Sequence, residues 1–310
     1  MKVLITGISG FVGSHLAEHY VSEGVEVYGI VRSRASLKLL EGIKDQVKLI
    51  EGDITDAHST DNIITSKCPD VIHHLAAQSF VPYSWANPSL TFTTNINGSL
   101  NILESVRSHS PETIVHVASS SEIYGNQTDE AITEDDLPAP VSPYAISKLT
   151  MDLLATQYHA SYGTKTVITR TFNHGGPRRG ENFVESKIAK AFASGQETIK
   201  LGNLEAGRDW TDVRDIVKAY ALAVQKCNYG EPYNISSGKV KKIGDIINIL
   251  NFYTNLYPKI LKDAAFMRPS DVHYLLGDSS KFRVTTGWKP VIPFKKTIED
   301  LYDYWKSSKN

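Results

Sequence analysis

The chain has 310 residues, which is long enough to bury a large core as one α/β unit or as two closely joined domains. With 33 basic and 34 acidic residues its net charge is −1, so no overall field recruits nucleic acid or a membrane surface. No apolar run approaches the ~20 residues that span a bilayer, and the opening residues 1–6 are too short for a signal peptide. We therefore expect a cytoplasmic protein that binds neither nucleic acid nor membrane.

Short apolar runs alternate with amphipathic stretches through the first half of the chain. We predict strands at 3–6, 25–31, 47–50, 71–75, 114–118 and 166–170, and helices at 11–22, 89–109 and 143–162. Strands separated by helices are typical of a parallel sheet that is covered on both faces. The sequence therefore predicts an α/β fold with a Rossmann-type, doubly wound parallel sheet.

The pattern changes after about residue 171, where a glycine-rich and arginine-rich loop is followed by shorter, mixed elements. We predict a dinucleotide-binding domain at 1–170 and a smaller substrate-binding lobe at 171–310. The two are partly interleaved, because 212–227 and 233–235 are typical of a helix and a strand that could rejoin the main sheet.

A glycine-rich turn joins the first predicted strand to the first predicted helix. Gly7, Gly10 and Gly13 permit a tight turn and a close approach of the backbone to a ligand. The N-terminus of the following helix would then face a pyrophosphate. In this position the spacing predicts dinucleotide binding, and a simple turn is the alternative.

The residues after the second strand indicate which dinucleotide binds. Enzymes that use NAD tend to place an acid there for the ribose 2′-hydroxyl, whereas a 2′-phosphate favours arginine. This chain has Arg32 and Arg34 and no acid at that point, which favours NADP; a solvated basic loop is the alternative. Asp53, after the third strand, is interpreted as an adenine contact or as a plain turn residue.

Tyr144 and Lys148 are four residues apart, so their side chains share one face of the predicted helix. Ser142 and Pro143 fit the N-cap and the first position of that helix. We expect the lysine to lower the pKa of the phenol from its ordinary value of ~10. Such a pair can take a proton from an alcohol while a nicotinamide takes the hydride.

A carboxylate follows the fifth predicted strand, in the run Ser120-Ser121-Glu122. Sites on parallel sheets lie beyond the carboxyl ends of the strands, which places Glu122 close to the tyrosine. Alcohol oxidation by a Tyr, Lys and Ser set needs no carboxylate. Glu122 therefore indicates a second proton abstraction, and a solvated loop carboxylate is the alternative.

These motifs make the chain resemble the extended short-chain dehydrogenase/reductases that act on nucleotide-diphosphate sugars. The matching segments are Gly7-x-x-Gly10-x-x-Gly13, 52–56, 74–78, 94–98 and Tyr144-x-x-x-Lys148. Within that superfamily the chain most resembles the GDP-mannose 4,6-dehydratases, with GDP-4-keto-6-deoxymannose reductases as close relatives. The finer match is carried by 120–125, 173–184, 201–210, 268–272 and 275–278.

The resemblance implies a reaction on a GDP-sugar. Tyr144 would deprotonate the sugar 4-hydroxyl, Ser120 would hydrogen-bond the same oxygen, and Lys148 would hold the nicotinamide ribose. The C5 hydrogen becomes acidic beside the new ketone, so Glu122 would remove it and then protonate the departing 6-hydroxyl. Ser121 beside the glutamate favours the GDP-mannose type over the dTDP-glucose type, where Asp-Glu is common.

The resemblance also implies the binding residues. For the cofactor they are Gly7, Gly10, Phe11, Val12, Gly13, Arg32, Arg34, Asp53, Ile54, Leu75, Ala77, Tyr144 and Lys148. For the substrate they are Ser79, Ser121, Asn173, Asn182, Lys187, Arg208, Arg268 and Asp271, with the cations on the diphosphate. The pair Arg178 and Arg179 is assigned to the loop fold or to a subunit interface. We expect no metal site, and we interpret His73 and His74 as packed core residues.

Two alternatives to the dehydratase stay open. One is a 4-keto-6-deoxy sugar reductase, or a nucleotide-sugar epimerase, that uses the same Tyr144 chemistry. The other is a noncatalytic dinucleotide sensor, which the intact tyrosine and lysine pair disfavours. We expect a homodimer through the two long helices. A homotetramer is the alternative, and the short segment 32–47 disfavours it because that region helps to build the tetramer of longer relatives.

Overall fold

The computed structural model describes residues 1–126, 130–263, 272 and 274–308. Seven parallel strands form the main sheet in the order β3-β2-β1-β4-β5-β6-β10. They are β1 (Lys2–Thr6), β2 (Glu26–Val31), β3 (Val47–Glu51), β4 (Val71–His74), β5 (Ile114–Ala118), β6 (Thr166–Thr171) and β10 (Pro232–Ile235). The predicted parallel sheet of Rossmann type is confirmed, and each strand predicted within it is correct to within one residue at either end.

Helices cover both faces of this sheet. One face carries α1 (Phe11–Ser22) and α8 (Val213–Lys226), and the other carries α2 (Ala57–Lys67), α5 (Gly98–His109) and α6 (Pro143–Tyr162). Each face has its own hydrophobic cluster, so the central strands are buried on both sides. Both α8 and β10 come from the second half of the chain, and β10 pairs with β6. The division at residues 170 and 171 stays a prediction.

The predicted helix at 89–109 is not uniform. After α3 (Val81–Ala86), it consists of α4 (Pro88–Phe92), a π-helical segment Thr93–Asn97, and α5. Within the π-helical segment, Asn95 accepts a hydrogen bond from the Gln78 backbone N–H at 2.7 Å and donates one to Ser147 Oγ at 2.8 Å. Single π-helical turns are frequent at functional sites, and this one lies beside the cavities described below.

The rest of the second half builds a third hydrophobic cluster, which includes Ile188, Trp210 and Leu301. This cluster is formed mainly by α7 (Val184–Ala193), β8 (Thr198–Leu201), β9 (Gly207–Asp212), α9 (Ile243–Thr254) and α11 (Phe294–Ser307). The other elements of the second half are β7 (Asn173–Gly175), β11 (Val240–Lys242), β12 (Lys259–Lys262), β13 (Tyr274–Leu275) and α10 (Ser280–Thr286). Among the described residues, no helix combines the length and the apolar character that crossing a membrane requires.

Candidate functional site

Two neighbouring cavities lie at the carboxyl ends of the main-sheet strands. The glycine cavity, of about 750 Å³, is bounded by the Gly7–Gly13 turn, and the glutamate cavity, of about 540 Å³, is bounded by Glu122. Five residues line both cavities: Ser79, Tyr144, His174, Arg179 and Phe183. Tyr144 therefore stands where a ligand in one cavity would meet a ligand in the other.

The glycines of the first turn are required by backbone contacts. Gly10 N–H donates to the Gly7 carbonyl oxygen at 3.0 Å, and Gly7 has a φ of +72°. A Cβ atom on Gly13 would lie 2.2 Å from that same carbonyl oxygen. Only glycine fits this close approach, so the turn has the shape that a pyrophosphate needs at the start of α1.

The predicted cofactor residues form a continuous wall. All but one of them line the glycine cavity: Gly7, Gly10, Phe11, Val12, Gly13, Arg32, Asp53, Ile54, Leu75, Ala77, Tyr144 and Lys148. The exception is Arg34, which lies in an adjoining pocket. The size and lining of the glycine cavity fit a dinucleotide that runs from β2 to the tyrosine.

The adjoining pocket, which we call the arginine pocket, is lined by Arg32, Arg34 and Asp53 among others. Two guanidinium groups at the end of β2 suit a ribose 2′-phosphate. Asp53 has a second role, because its Oδ1 accepts a hydrogen bond from the Thr55 N–H at 2.9 Å and closes a turn. Glu51 at the end of β3 also lines this pocket, a carboxylate that reasoning from β2 alone did not include.

Helix α6 begins as the sequence predicts. Ser142 Oγ accepts a hydrogen bond from the Ala145 N–H at 3.1 Å, and Pro143 is the first helical residue. Tyr144 and Lys148 are both buried, and the lysine Nζ lies 5.9 Å from the centre of the tyrosine ring. The pair therefore shares one helix face and borders the glycine cavity.

The expected lowering of the Tyr144 pKa is wrong for this structure. Burial raises the pKa of Tyr144 to about 12, a hydrogen bond with Ser120 opposes that rise, and the charge of Glu122 adds to it. The cation that lowers the pKa of Tyr144 is Arg179, not Lys148. Burial also lowers the pKa of Lys148 to about 8. Tertiary burial outweighs the effect that the spacing of the two residues predicts.

A short 3₁₀ turn, Ser121–Tyr124, places the glutamate. Ser120 caps this turn, because its Oγ accepts a hydrogen bond from the Glu122 N–H at 3.2 Å. Ser120, Glu122 and Tyr144 all line the glutamate cavity. The structure therefore brings the predicted hydroxyl, carboxylate and phenol to one cavity wall.

Residues predicted for the substrate line the same cavity: Ser79, Ser121, Asn173, Asn182, Lys187 and Arg208. Arg208 is 6% exposed and donates a hydrogen bond to the Gly207 carbonyl oxygen at 2.9 Å. Lys187 donates one to the Lys200 carbonyl oxygen at 3.0 Å. Two further predictions, Arg268 and Asp271, lie outside the described residues.

Arg179 is a site residue that the sequence analysis assigned elsewhere. Its Nε donates to Glu185 Oε1 at 2.9 Å, and its guanidinium carbon lies 3.5 Å from the centre of the Phe183 ring. Arg179 lines both cavities, so it belongs to the site and does not only stabilise the loop or an interface. Arg178 does serve the loop fold, since it pairs with Glu18 of α1.

His174 was also missed. It lines both cavities, and its ring is stacked on Phe11 with centroids 6.0 Å apart. The available signal was its position just after β6, because the chain there leaves the carboxyl edge of the sheet. By contrast, the interpretation of His73 and His74 as packed residues is confirmed, since both are buried and hydrogen-bonded.

Comparison with known proteins agrees with this geometry. Residues 4–301 match the protein family described as GDP-mannose 4,6 dehydratase. The chain is 30% identical over 99% of its length to GDP-6-deoxy-D-mannose reductase of Pseudomonas aeruginosa, of which 97% is covered. It is 35% identical over 97% of its length to GDP-mannose 4,6 dehydratase 2 of Arabidopsis thaliana, of which 85% is covered.

A solved structure gives the same result at the level of the fold. RMD from Pseudomonas aeruginosa, complexed with NADPH, matches with a TM-score of 0.85 and 27% identity over 99% of both chains. The matches extend over nearly the whole chain and include both cavities. The chain therefore belongs to the GDP-mannose 4,6-dehydratase family of the extended short-chain dehydrogenase/reductases.

Proposed function

We propose that the protein is an NADP-dependent 4,6-dehydratase that converts GDP-mannose to GDP-4-keto-6-deoxymannose. The observation that carries the proposal is the shared cavity wall of Ser120, Glu122 and Tyr144. Alcohol oxidation uses only the phenol and its partners, whereas elimination of water needs a further base that can then act as an acid. Glu122 supplies that group.

The proposed cofactor site combines the glycine cavity with the arginine pocket. The Gly7–Gly13 turn suits the pyrophosphate, and Arg32 with Arg34 suits the 2′-phosphate. NADPH in the related Pseudomonas aeruginosa structure supports this choice. When bound, NADP would accept the hydride from sugar C4 and return it to C6, so that it ends unchanged.

The protein's own residues handle the protons. Tyr144 takes the proton of the 4-hydroxyl, and Ser120 hydrogen-bonds the same oxygen. Because burial raises the pKa of Tyr144 to about 12, the phenolate needs the opposing effects of the Ser120 hydrogen bond and of Arg179. Lys148, one turn along α6, would hold the nicotinamide ribose.

Glu122 then acts twice. Oxidation at C4 makes the C5 hydrogen acidic, because the resulting carbanion is delocalised as an enolate. Glu122 removes that proton and gives it to the departing 6-hydroxyl, which leaves as water. When the hydride returns to C6, C5 would take up a proton from solvent, and Tyr144 would release the 4-hydroxyl proton to solvent. One carboxyl group suffices, since accepting the first proton prepares it to give the second.

The second half of the chain would hold the GDP part of the substrate. Lys187 and Arg208 line the glutamate cavity and suit a diphosphate, and Asn173 and Asn182 suit its polar neighbours. We further propose a cytoplasmic homodimer that pairs through the long helices α5 and α6. Exposed apolar side chains on α6, Ile146 and Leu153, support that pairing.

A second candidate is a GDP-4-keto-6-deoxy sugar reductase, which one specific observation favours. The Pseudomonas aeruginosa reductase is covered over 97% of its length, whereas the Arabidopsis dehydratase is covered over 85%. In a reductase, Tyr144 would give a proton to the 4-keto oxygen and NADPH would be consumed. Glu122 would then have no proton to transfer.

Turnover without a reductant separates the two candidates. The purified protein is incubated with GDP-mannose and catalytic NADP, and the sugar product is identified by mass spectrometry and NMR. We expect a 4-keto-6-deoxy product in molar excess over NADP. Turnover of a supplied 4-keto sugar alone, with stoichiometric consumption of NADPH, would instead establish the reductase.

A further inference from the structure

A chain of buried side-chain hydrogen bonds runs across three strands on the sheet face covered by α1 and α8. Tyr20 Oη lies 2.8 Å from His73 Nε2, and His73 Nδ1 lies 2.9 Å from His116 Nδ1. His116 Nε2 lies 2.9 Å from Thr169 Oγ1. All four side chains are buried, so water does not substitute for these bonds.

This series of hydrogen bonds continues to the two cavities. The Tyr220 ring lies against His116, with ring centroids 4.5 Å apart, and its hydroxyl lies 2.9 Å from Thr171 Oγ1. Thr169 also interacts with this hydroxyl and lowers the pKa of Tyr220. Tyr220 lines the glycine cavity and Thr171 lines the glutamate cavity. This series of hydrogen bonds therefore begins at the buried Tyr20 of α1 and ends at Tyr220 and Thr171, where the two cavities meet.

The Nδ1 atoms of His73 and His116 face each other, and this arrangement determines which group donates and which accepts along the series of hydrogen bonds. Burial lowers the pKa of His73 to about 3 and lowers that of His116 well below its ordinary value, so both rings are neutral at neutral pH. A neutral imidazole has one N–H and one acceptor nitrogen. One Nδ1 must therefore donate and the other must accept.

Tyr20 fixes which one donates. Among the described residues its hydroxyl has no other hydrogen-bond partner, so its hydrogen is satisfied only by donation to His73 Nε2. His73 then donates from Nδ1, and His116 accepts at Nδ1 and donates from Nε2 to Thr169. Because Thr169 accepts from His116, its own hydrogen is directed toward Tyr220, which leaves the Tyr220 hydrogen for Thr171 or for the cavity.

We propose that Tyr220 and Thr171 present a hydrogen-bond donor to the nicotinamide end of the bound cofactor, in a direction set by the buried histidine pair. The carboxamide oxygen of the nicotinamide is the acceptor that this donor suits. The two histidines act as positioning residues, because they reach the ligand only through Thr169 and Tyr220. The inference rests on the proposed NADP binding, and it holds for a dehydratase and for a reductase alike.

The direction is tested by ¹⁵N NMR of histidine-labelled protein at neutral pH, with signals assigned by loss in His73→Gln and in His116→Gln. We expect His73 to carry its hydrogen on Nδ1 and His116 to carry it on Nε2. In Tyr20→Phe both rings should lose this single tautomer and show a mixture. The opposite tautomers in the wild type, or unchanged tautomers in Tyr20→Phe, would overturn the assignment.

The contact is tested by binding of NADPH and of adenosine 2′,5′-bisphosphate, which has no nicotinamide. Removal of one neutral hydrogen bond in Tyr220→Phe should raise the NADPH Kd about fivefold and leave the bisphosphate Kd unchanged. The matched control is Tyr233→Phe, whose buried hydroxyl accepts a hydrogen bond from the Asn228 N–H and which lines neither cavity.

The contact is contradicted by an unchanged NADPH Kd in Tyr220→Phe, by equal weakening of both ligands, or by the same weakening in the control variant. The contact would also be contradicted if the wild-type protein bound NADPH no more tightly than the bisphosphate, because the nicotinamide half would then add no affinity. A wild type that binds neither ligand would refute the proposed cofactor itself, which is a separate and recognisable failure.

Discussion

The Lys148 ammonium donates a hydrogen bond to the carbonyl oxygen of Ala118 at 2.8 Å. Ala118 ends β5, and Lys148 lies one turn after Tyr144 in α6. The bond therefore ties the helix that carries the tyrosine to the strand that leads to Ser120 and Glu122. It also holds a buried lysine whose pKa burial lowers to about 8, so Lys148 is only partly protonated near that pH.

Binding of NADP should therefore take up protons at mildly alkaline pH. The negatively charged cofactor and its ribose hydroxyls favour the ammonium form, which raises the pKa of Lys148 above about 8. Near pH 8.5 we expect uptake of a fraction of a proton per site, and a Kd that rises with pH. Calorimetry in buffers of different ionisation enthalpy measures the uptake. Lys148→Met should abolish it, and uptake that persists in that variant would assign the proton to another group.

Gly13→Ala should prevent cofactor binding. The new Cβ would lie 2.2 Å from the Gly7 carbonyl oxygen, so the turn must open, at a cost of about 1–3 kcal/mol in unfolding free energy. Gly42→Ala is the matched control, because a Cβ there meets nothing within 4 Å. NADPH binding and urea unfolding measure both effects. Wild-type affinity in Gly13→Ala would show that the turn does not bind the cofactor.

Arg170→Met should be strongly destabilising. Arg170 Nε donates to Asp152 Oδ2 at 2.9 Å, and both side chains are buried. Removal of the arginine leaves a buried carboxylate without its cation, which costs about 3–5 kcal/mol in unfolding free energy. Denaturant unfolding measures the loss. In the control Arg107→Met, water already screens the exposed pair with Glu104, and we expect a far smaller change. Equal losses would show that burial does not control the strength of these pairs.

Stability should fall steeply in mild acid because of the buried histidines. Burial lowers the pKa of both His73 and His74 to about 3, whereas the unfolded chain binds their protons near ~6.5. Below that pH the unfolded state holds more protons than the folded state, so acid favours unfolding. Each histidine contributes up to ~1.4 kcal/mol per pH unit to the slope.

Urea unfolding between pH 7 and pH 4.5 measures this slope. His74→Asn removes one of the buried imidazoles. It should reduce the slope by the contribution of one histidine, up to ~1.4 kcal/mol per pH unit. A slope that does not change in this variant would show that His74 becomes protonated in the folded protein.

The sequence predicts best what depends on neighbouring residues. The Gly7–Gly13 turn is defined by local backbone contacts, and the cap of α6 by Ser142, so both are correct from spacing alone. The strands of the main sheet follow because each one is a short apolar run between breaks. The cofactor residues that the resemblance implies lie together in the structure, because they follow the carboxyl ends of those strands.

The sequence predicts less well what depends on contacts between distant segments. Arg179 becomes a site residue because Glu185 of α7 and the ring of Phe183 hold its side chain between the cavities. The π-helical segment Thr93–Asn97 continues directly from α4 into α5, so no break in the sequence marks it. The high pKa of Tyr144 arises from burial, which no i, i+4 pair can indicate.

Deuterium exchange at sugar C5 is the most direct test of the proposed elimination. GDP-mannose and NADP are incubated with the protein in D₂O, and mass spectrometry with NMR locates the label. We expect deuterium at C5 of the wild-type product, and neither label nor product with Glu122→Gln, which should bind NADPH as the wild type does. Glu112→Gln, at an exposed carboxylate paired with Lys165, is the control and should label normally. Full C5 labelling with Glu122→Gln would contradict the central claim that this carboxylate carries the proton.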